Sequence, residues 1–204
     1  MIKEIARSGI VDKSYFQNSY HFTDNLEAYI ERKLFTLNTG HAICAYLGFL
    51  AGKSTIKESI DDENIYKIVK NAMSESGNGL CKKHGFDKSE HEAYIEKIIK
   101  RFKNPYLEDD VTRVGREPLR KLSINDRLVK PTLTALEYDF TVDNLLVGIA
   151  AALHFNNPDD PESVEMQEKI SKYGIHDAVA DITGIHDKEI LDKIEQEYIN
   201  LLNE

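Results

Sequence analysis

The sequence predicts an all-α protein, a bundle-like domain of about nine helices joined by short loops. Apolar residues recur at three- and four-residue spacing along most of the chain, which is the period of a helix with one buried face. Helix-capping residues stand between these segments, and no stretch alternates apolar and polar residues as a β-strand does. With 204 residues, of which 41% are hydrophobic and 30% charged, the chain is long enough and apolar enough to bury a core.

The chain begins with a weakly patterned segment. We interpret residues 1–22 as a lead-in or a linker from a neighbouring domain, followed by one helical domain at residues 23–204. The first helix of that domain is expected to begin at Asp24, whose side chain can cap it. Glu27 follows three residues later, which is the spacing of a capping box.

Stop and start residues then predict two further helices. The stretch 42–51 is almost wholly apolar and is followed by Gly52, so it predicts a buried helix that ends there. Asp61 or Asp62 is expected to open a longer helix. That helix ends at Gly85, after a run of basic residues that suits the C-terminal end of the helix dipole.

The middle of the chain is less regular. Ser89 with Glu92 predicts a capping box for the next helix, which Asn104 and the proline after it should stop. In residues 105–131 a glycine and a proline stand three positions apart. A long helix is therefore not expected there.

The remaining helices follow from turn residues. One helix is expected after Pro131 and an apolar one after Asp143. Asp160 then stands as an N-cap, with a proline as the first helical residue. Three amphipathic helices finish the chain, separated by Gly174 and Gly184.

Composition excludes several classes of function. The formal net charge of −9 argues against broad nucleic-acid binding, although residues 100–130 form a basic segment with nine Lys or Arg and five Asp or Glu. No apolar run is long enough to span a membrane, and the N-terminus lacks the apolar core of a secretory signal. Cys44 and Cys81 form neither a disulfide framework nor a metal site. A cytoplasmic location is the simplest inference, and we expect no metal, nucleic acid or membrane partner.

The histidines give little evidence of a site on their own. Four of them are expected at surface or cap positions of helices. These are His84, His91, His176 and His186.

The candidate catalytic residues are Lys33, Asn38 and His41. On an α-helix that begins at Lys33, Asn38 would lie roughly 140° and His41 roughly 80° round the axis, so the three would share one side. An apolar stripe lies on the same line, which predicts that Lys33 sits on a buried face. The stripe consists of Leu26, Ile30 and Leu37. The plainer interpretation is a snorkelling lysine, a helix-end asparagine and a core histidine.

The pattern Lys-x-x-x-x-Asn-x-x-His, followed by Ala45-Tyr46-Leu47-Gly48, resembles the catalytic signature of the polyol-specific long-chain dehydrogenases. The longer string from Glu31 to Ile43 is most similar to the mannitol-1-phosphate 5-dehydrogenases in that family. The resemblance runs from about Phe22 onwards. Its other blocks are Asn104-Pro105-Tyr106-Leu107, Arg113-Val114-Gly115-Arg116, Pro118-Leu119-Arg120-Lys121-Leu122-Ser123 and Asp126-Arg127-Leu128.

The resemblance implies a role for each candidate residue. Lys33 would be the general acid/base in the NAD-dependent interconversion of D-mannitol 1-phosphate and D-fructose 6-phosphate, with its apolar surroundings supplying the desolvation that a neutral lysine needs. Asn38 would donate a hydrogen bond to the reacting oxygen, and His41 would orient the same hydroxyl or its neighbour. No metal would be needed.

The resemblance also implies a substrate site in the basic segment. Its residues would bind the sugar chain and the phosphate, since guanidinium groups suit phosphate oxygens. They are Arg113, Arg116, Arg120 and Lys121. The alternative is a set of surface charges paired with Asp109, Asp110 and Glu117.

Two departures from the family pattern matter. Related mannitol 2-dehydrogenases have a glutamate three residues before the lysine, where this chain has Ile30, so a carboxylate proton relay is not expected there. The family also joins an N-terminal Rossmann domain, which holds NAD, to a C-terminal helical domain, and this sequence matches the second. We expect the isolated chain to bind NAD poorly and to turn over little substrate.

Other functions stay open on the sequence. A hexuronate reductase or an unphosphorylated polyol dehydrogenase would use the same lysine and would differ in its phosphate requirement. A helical interaction module would leave Lys33 without a catalytic role, and its basic segment would bind an acidic partner.

Overall fold

The computed structural model describes residues 25–203. The predicted lead-in at residues 1–22 and the predicted cap Asp24 lie outside this range. The first helix begins at Leu26, and Asn25 caps it by accepting a hydrogen bond from the backbone N–H of Ala28 at 3.1 Å.

The described residues form twelve α-helices and one π-helical segment. They are α1 (Leu26–Arg32), the π-helix (Lys33–Asn38), α2 (Thr39–Leu50), α3 (Ile56–Asp61), α4 (Glu63–His84), α5 (Lys88–Phe102), α6 (Val111–Gly115), α7 (Pro118–Leu122), α8 (Val129–Glu137), α9 (Asp143–Leu153), α10 (Pro161–Tyr173), α11 (Ile175–Thr183) and α12 (Lys188–Asn200). The all-α prediction is confirmed. The helix count exceeds the expected nine because α3, α6 and α7 are only five or six residues long. No helix in residues 25–203 is both long enough and apolar enough to cross a membrane.

Local capping explains most helix bounds. Asp62 caps α4 by accepting from two backbone N–H groups, and Gly85 ends the helix at φ +71°, a left-handed conformation that glycine adopts without strain. The predicted capping box of α5 is wrong. Asp87 is the N-cap and accepts from the backbone N–H of Glu90 at 2.9 Å, while the Ser89 hydroxyl donates to the same carboxylate.

Helix α2 lies at the centre of the core. All of its residues from Ala42 to Gly48 are buried, and it packs against α4, α6 and α9. Close contact depends on small residues: a Cβ on Gly40 would lie 2.5 Å from Met73 Sδ of α4. The Tyr46 hydroxyl donates to the Gly115 carbonyl at 2.8 Å and so joins α2 to α6. The π-helix therefore leads directly into a buried helix at the centre of the core.

His91 of α5 is buried, which corrects the surface position expected from sequence. Its ring packs against Gly77 of α4, where a Cβ would lie 2.7 Å from His91 Cδ2. Its Nε2 atom is 3.4 Å from the Thr36 hydroxyl. Burial lowers the pKa of His91 to about 4, and the positive charge of Arg32 adds to this effect.

The buried His91 predicts a loss of stability in acid. An unfolded chain binds a proton on this imidazole near pH 6.5, whereas the folded chain does so only near pH 4, so unfolding becomes more favourable as the pH falls through that interval. The loss is expected to reach about 3 kcal/mol. We expect His91→Gln to remove this part of the pH dependence of the free energy of unfolding, measured by urea titration.

The matched control is His186→Gln, at an exposed histidine. It should keep the wild-type slope between pH 6.5 and 4. An equally steep slope in His91→Gln would show that the acid sensitivity arises elsewhere.

Candidate active site

The π-helix determines how the candidate catalytic residues align. The backbone N–H of Thr39 donates to the carbonyl of Leu34, five residues earlier, instead of four as in an α-helix. Residues five apart are therefore about one turn apart, and Asn38 lies above Lys33 rather than roughly 140° round the axis. His41 follows in α2, about 60° round from Asn38. The backbone thus places all three on one side, more closely than an α-helix would.

Lys33 is exposed, and the prediction that it lies on a buried face is wrong for this chain. The stripe on α1 is exposed too: Leu26, Tyr29 and Ile30 have exposed fractions of 45%, 40% and 56%. Helix α1 buries only Ala28. Within residues 25–203 the ring of Phe86 contacts Tyr29 at a centroid distance of 5.5 Å, but Lys33 stays exposed. The desolvation expected around Lys33 is therefore not supplied by the described part of the chain.

His41 lies partly buried between α2 and α5. Its ring stacks on Phe102 with a centroid distance of 5.1 Å, and Nε2 is 3.2 Å from Asp109 Oδ2, although the approach is too oblique for a hydrogen bond. Burial lowers the pKa of His41. Asp109 opposes this effect, while Arg101 and Arg113 reinforce it. A small cavity beside the ring has room for about one water molecule. His41 is therefore a neutral imidazole with a polar group at its edge.

Of the predicted substrate residues, Arg113 comes nearest to His41. Its guanidinium pairs with Asp109, the carboxylate that also lies against His41. Arg120 pairs with Glu117 at 2.7 Å, and Arg116 is exposed with no ion pair in the described part of the chain. The alternative of paired surface charges thus describes Arg113 and Arg120 in this structure.

Lys121 does not fit that alternative, because it is buried. Its exposed fraction is 3%, and within residues 25–203 it forms no ion pair. Burial lowers the pKa of Lys121 to about 8, and the nearby charges of Arg120 and Arg127 contribute. The carboxylates of Glu117 and Asp160 act in the opposite direction. A buried cation flanked by two guanidinium groups is costly to the fold, which marks this place as a candidate anion site.

Residues 25–202 match the mannitol dehydrogenase C-terminal domain family. The chain belongs to this family.

Solved structures of two polyol dehydrogenases share its fold. The structure of Pseudomonas fluorescens mannitol 2-dehydrogenase in ternary complex with NAD and D-mannitol matches with a TM-score of 0.73 and 20% identity, over 90% of this chain and 40% of that chain. A crystal structure of D-sorbitol dehydrogenase in substrate-free form matches with a TM-score of 0.71 and 16% identity, over 88% of this chain and 40% of that one. The chain spans about two fifths of the length of both.

Arg127 of this mannitol dehydrogenase C-terminal domain has a contact near the candidate site that the sequence did not predict. The Arg127 guanidinium binds Asp126 at 2.8 Å, and its backbone carbonyl accepts a hydrogen bond from the Thr39 hydroxyl at 2.6 Å. Thr39 directly follows Asn38, so the loop that carries Arg127 lies against the end of the π-helix. Arg127 belongs to a string that resembles the family, but nothing in that string shows its contact with Thr39.

The described residues contain no cluster of three His, Cys, Asp or Glu side chains that could hold a metal ion. They also contain no parallel sheet and therefore no strand, glycine turn and helix of the kind that cradles a dinucleotide. Residues 25–203 do not fit a complete NAD site.

Proposed function

We propose that this chain is the substrate-binding and proton-transfer domain of an NAD-dependent polyol-phosphate dehydrogenase. The reaction is the interconversion of D-mannitol 1-phosphate and D-fructose 6-phosphate. The observation that supports the proposal is the π-helix, in which residues five apart, such as Asn38 and the exposed Lys33, are about one turn apart. It lies near the start of the family match at residues 25–202. Such π-helical segments occur often at functional sites.

Each side chain has a defined task in the proposed reaction. During oxidation Lys33 accepts the proton of the C5 hydroxyl, and during reduction it returns that proton to the C5 oxygen. Asn38 donates a hydrogen bond to the same oxygen as negative charge develops there. The neutral His41 orients a neighbouring hydroxyl. A separate nucleotide-binding domain would hold NAD, which would supply the hydride acceptor.

A separate nucleotide-binding domain is part of the proposal. Its docking surface on this chain is the exposed apolar face of α1, formed by Leu26, Tyr29 and Ile30 next to Lys33. A domain docked there would remove water from around Lys33 and so favour its uncharged form. We call this chain together with its nucleotide-binding domain the assembled enzyme. Amide hydrogen exchange in α1 should slow on assembly, and unchanged exchange would argue against this surface.

The phosphate specificity rests on Lys121. A phosphate group would supply the direct ion pair that Lys121 lacks in the described part of the chain, with Arg120 and Arg127 able to bind further oxygens. The hydrogen bond from the Thr39 hydroxyl to the Arg127 carbonyl supports a phosphate site near the end of the π-helix. The other candidate is an unphosphorylated polyol dehydrogenase. It is favoured by the matched structures, which are a complex with D-mannitol and a D-sorbitol dehydrogenase.

Substrate preference separates these candidates. NADH formation by the assembled enzyme should proceed with D-mannitol 1-phosphate at a kcat/KM about 100-fold or more above that with D-mannitol, because only the first carries the group that Lys121 binds. Equal use of the two would favour the unphosphorylated alternative. Oxidation of a hexonate alone would favour a hexuronate reductase, and no turnover of any of them would contradict an enzymatic role.

A further inference from the structure

Two buried hydroxyl groups hold the π-helix at its middle and at its end. The Ser76 hydroxyl of α4 donates to the Phe35 carbonyl at 2.5 Å, and Ser76 has an exposed fraction of 1%. The Thr39 hydroxyl donates to the Arg127 carbonyl at 2.6 Å, and Thr39 is fully buried. We call Ser76 and Thr39 the hydroxyl clamp.

The hydroxyl clamp supplies hydrogen-bond donors to backbone carbonyl groups at the π-helix. A π-helical turn shifts the backbone hydrogen bonds by one residue relative to the α-helices on either side, so carbonyl groups at the transition lose their usual geometry. A buried carbonyl needs a donor. Ser76 supplies one to Phe35 from a helix that is 41 residues away in sequence. Side chains that insert into a helix in this way stabilise local departures from α geometry.

Thr39 acts at the other end of the segment. Its hydroxyl is also 3.2 Å from the Leu34 carbonyl, which already accepts the Thr39 backbone N–H. A hydroxyl has one proton, and the shorter contact, to Arg127, takes it. Thr39 therefore ties the end of the π-helix to the loop between α7 and α8, while Ser76 ties its middle to α4.

We propose that Ser76 and Thr39 are positioning residues that keep Lys33 and Asn38 one above the other. If the segment relaxed to α geometry, Asn38 would lie roughly 140° round the axis from Lys33 and could not reach the oxygen whose proton Lys33 takes. This inference rests on the proposed function for its effect on catalysis. The claim that Ser76 and Thr39 hold the π-helix in place does not depend on the proposed function.

The kinetic test uses Thr39→Val and Ser76→Ala in the assembled enzyme. Each should lower kcat for D-mannitol 1-phosphate by about 10- to 100-fold while changing KM little, since the phosphate contacts remain. Thr39→Ser, which keeps the hydroxyl, should restore most of the kcat lost in Thr39→Val. A merely structural role would not produce this split between kcat and KM.

Two variants serve as matched controls, because each removes one buried hydroxyl that donates to a carbonyl away from the π-helix. They are Thr183→Val, which loses the 2.7 Å bond to Val179, and Ser59→Ala, which loses the 2.8 Å bond to Thr55. Both should leave kcat close to the wild-type value. If Thr39→Val and Ser76→Ala affect kcat no more than these controls do, the inference is wrong.

A measurement on the 204-residue chain separates this inference from the proposed function. NMR should show cross-relaxation between the Lys33 and Asn38 side chains, together with slow exchange of the Thr39 amide. Both should be lost in Thr39→Val and in Ser76→Ala and kept in Ser59→Ala. If Lys33 proves dispensable for turnover, the proposed function fails, but the NMR measurement still tests the hydroxyl clamp. Unchanged NMR signals in both Thr39→Val and Ser76→Ala would overturn the clamp.

Discussion

Replacing Lys33 by alanine should lower kcat of the assembled enzyme with D-mannitol 1-phosphate by about 1,000-fold, the size of a positioned general acid/base contribution. Binding of the sugar phosphate should persist, because the proposed phosphate contacts come from Lys121 and its neighbours. Steady-state NADH formation gives kcat, and calorimetric titration of the variant with D-mannitol 1-phosphate gives the affinity.

The matched control for this variant is Lys67→Ala. Lys67 is an exposed lysine of α4 and forms no ion pair in the described part of the chain. It should leave kcat unchanged. Undiminished turnover in Lys33→Ala would contradict the mechanism and would favour the interpretation of this chain as a helical interaction module.

Lys121→Met should raise the stability of the chain and weaken the binding of D-mannitol 1-phosphate to the enzyme. The methionine fills a similar volume without a buried charge, so we expect the free energy of unfolding at pH 7 to rise by roughly 1 to 3 kcal/mol. The same change should raise KM for D-mannitol 1-phosphate by about 100-fold, because the phosphate loses a charged partner in a buried site. Chemical denaturation and steady-state kinetics measure the two effects.

The pH dependence provides a second check on Lys121. The folded chain loses this proton near pH 8, whereas an unfolded chain keeps it to about pH 10.5. The wild-type chain should therefore gain stability as the pH rises through that interval, and Lys121→Met should not. Lys100→Met, at an exposed lysine, is the control and should keep the wild-type behaviour. A less stable Lys121→Met variant with an unchanged KM would refute both the buried charge and its role.

Most helix bounds could be predicted because capping is local. Asp62 and Gly85 bound α4 as expected, and Asp160 caps α10 with a proline in its first turn. The start of α5 was missed because Asp87 and Ser89 stand two residues apart and either can cap a helix. Only the structure shows that Asp87 reaches the Glu90 amide.

The π-helix could not be predicted, because its cause is not local. The residues from Lys33 to Asn38 have no special composition, and the contacts that hold them come from Ser76 and the Arg127 loop, far away in sequence. Spacing alone predicted Lys33, Asn38 and His41 on one side of a helix. It gave the wrong angle between the first two, since it assumed α geometry throughout.

The burial of two lysines could not be predicted from the sequence. An apolar stripe indicates that a face is covered but not by what, and two of the three stripe residues beside Lys33, Leu26 and Ile30, are exposed, whereas Leu37 packs against the core. Lys121 stands in a charged stretch of sequence that is typical of a protein surface, yet in α7 its side chain is buried. The buried face of a helix is recognised from apolar residues that recur over several turns, and α7 is too short to show such a period.

Chemical rescue tests the central claim most directly. In the assembled enzyme with Lys33→Ala, added methylamine can occupy the space of the lost side chain and accept the proton of the C5 hydroxyl. If Lys33 is the proton-transfer group, NADH formation from D-mannitol 1-phosphate should rise at least about tenfold with amine concentration and saturate, and the wild-type rate should not respond. Substrate binding without any amine-dependent turnover would contradict the claim.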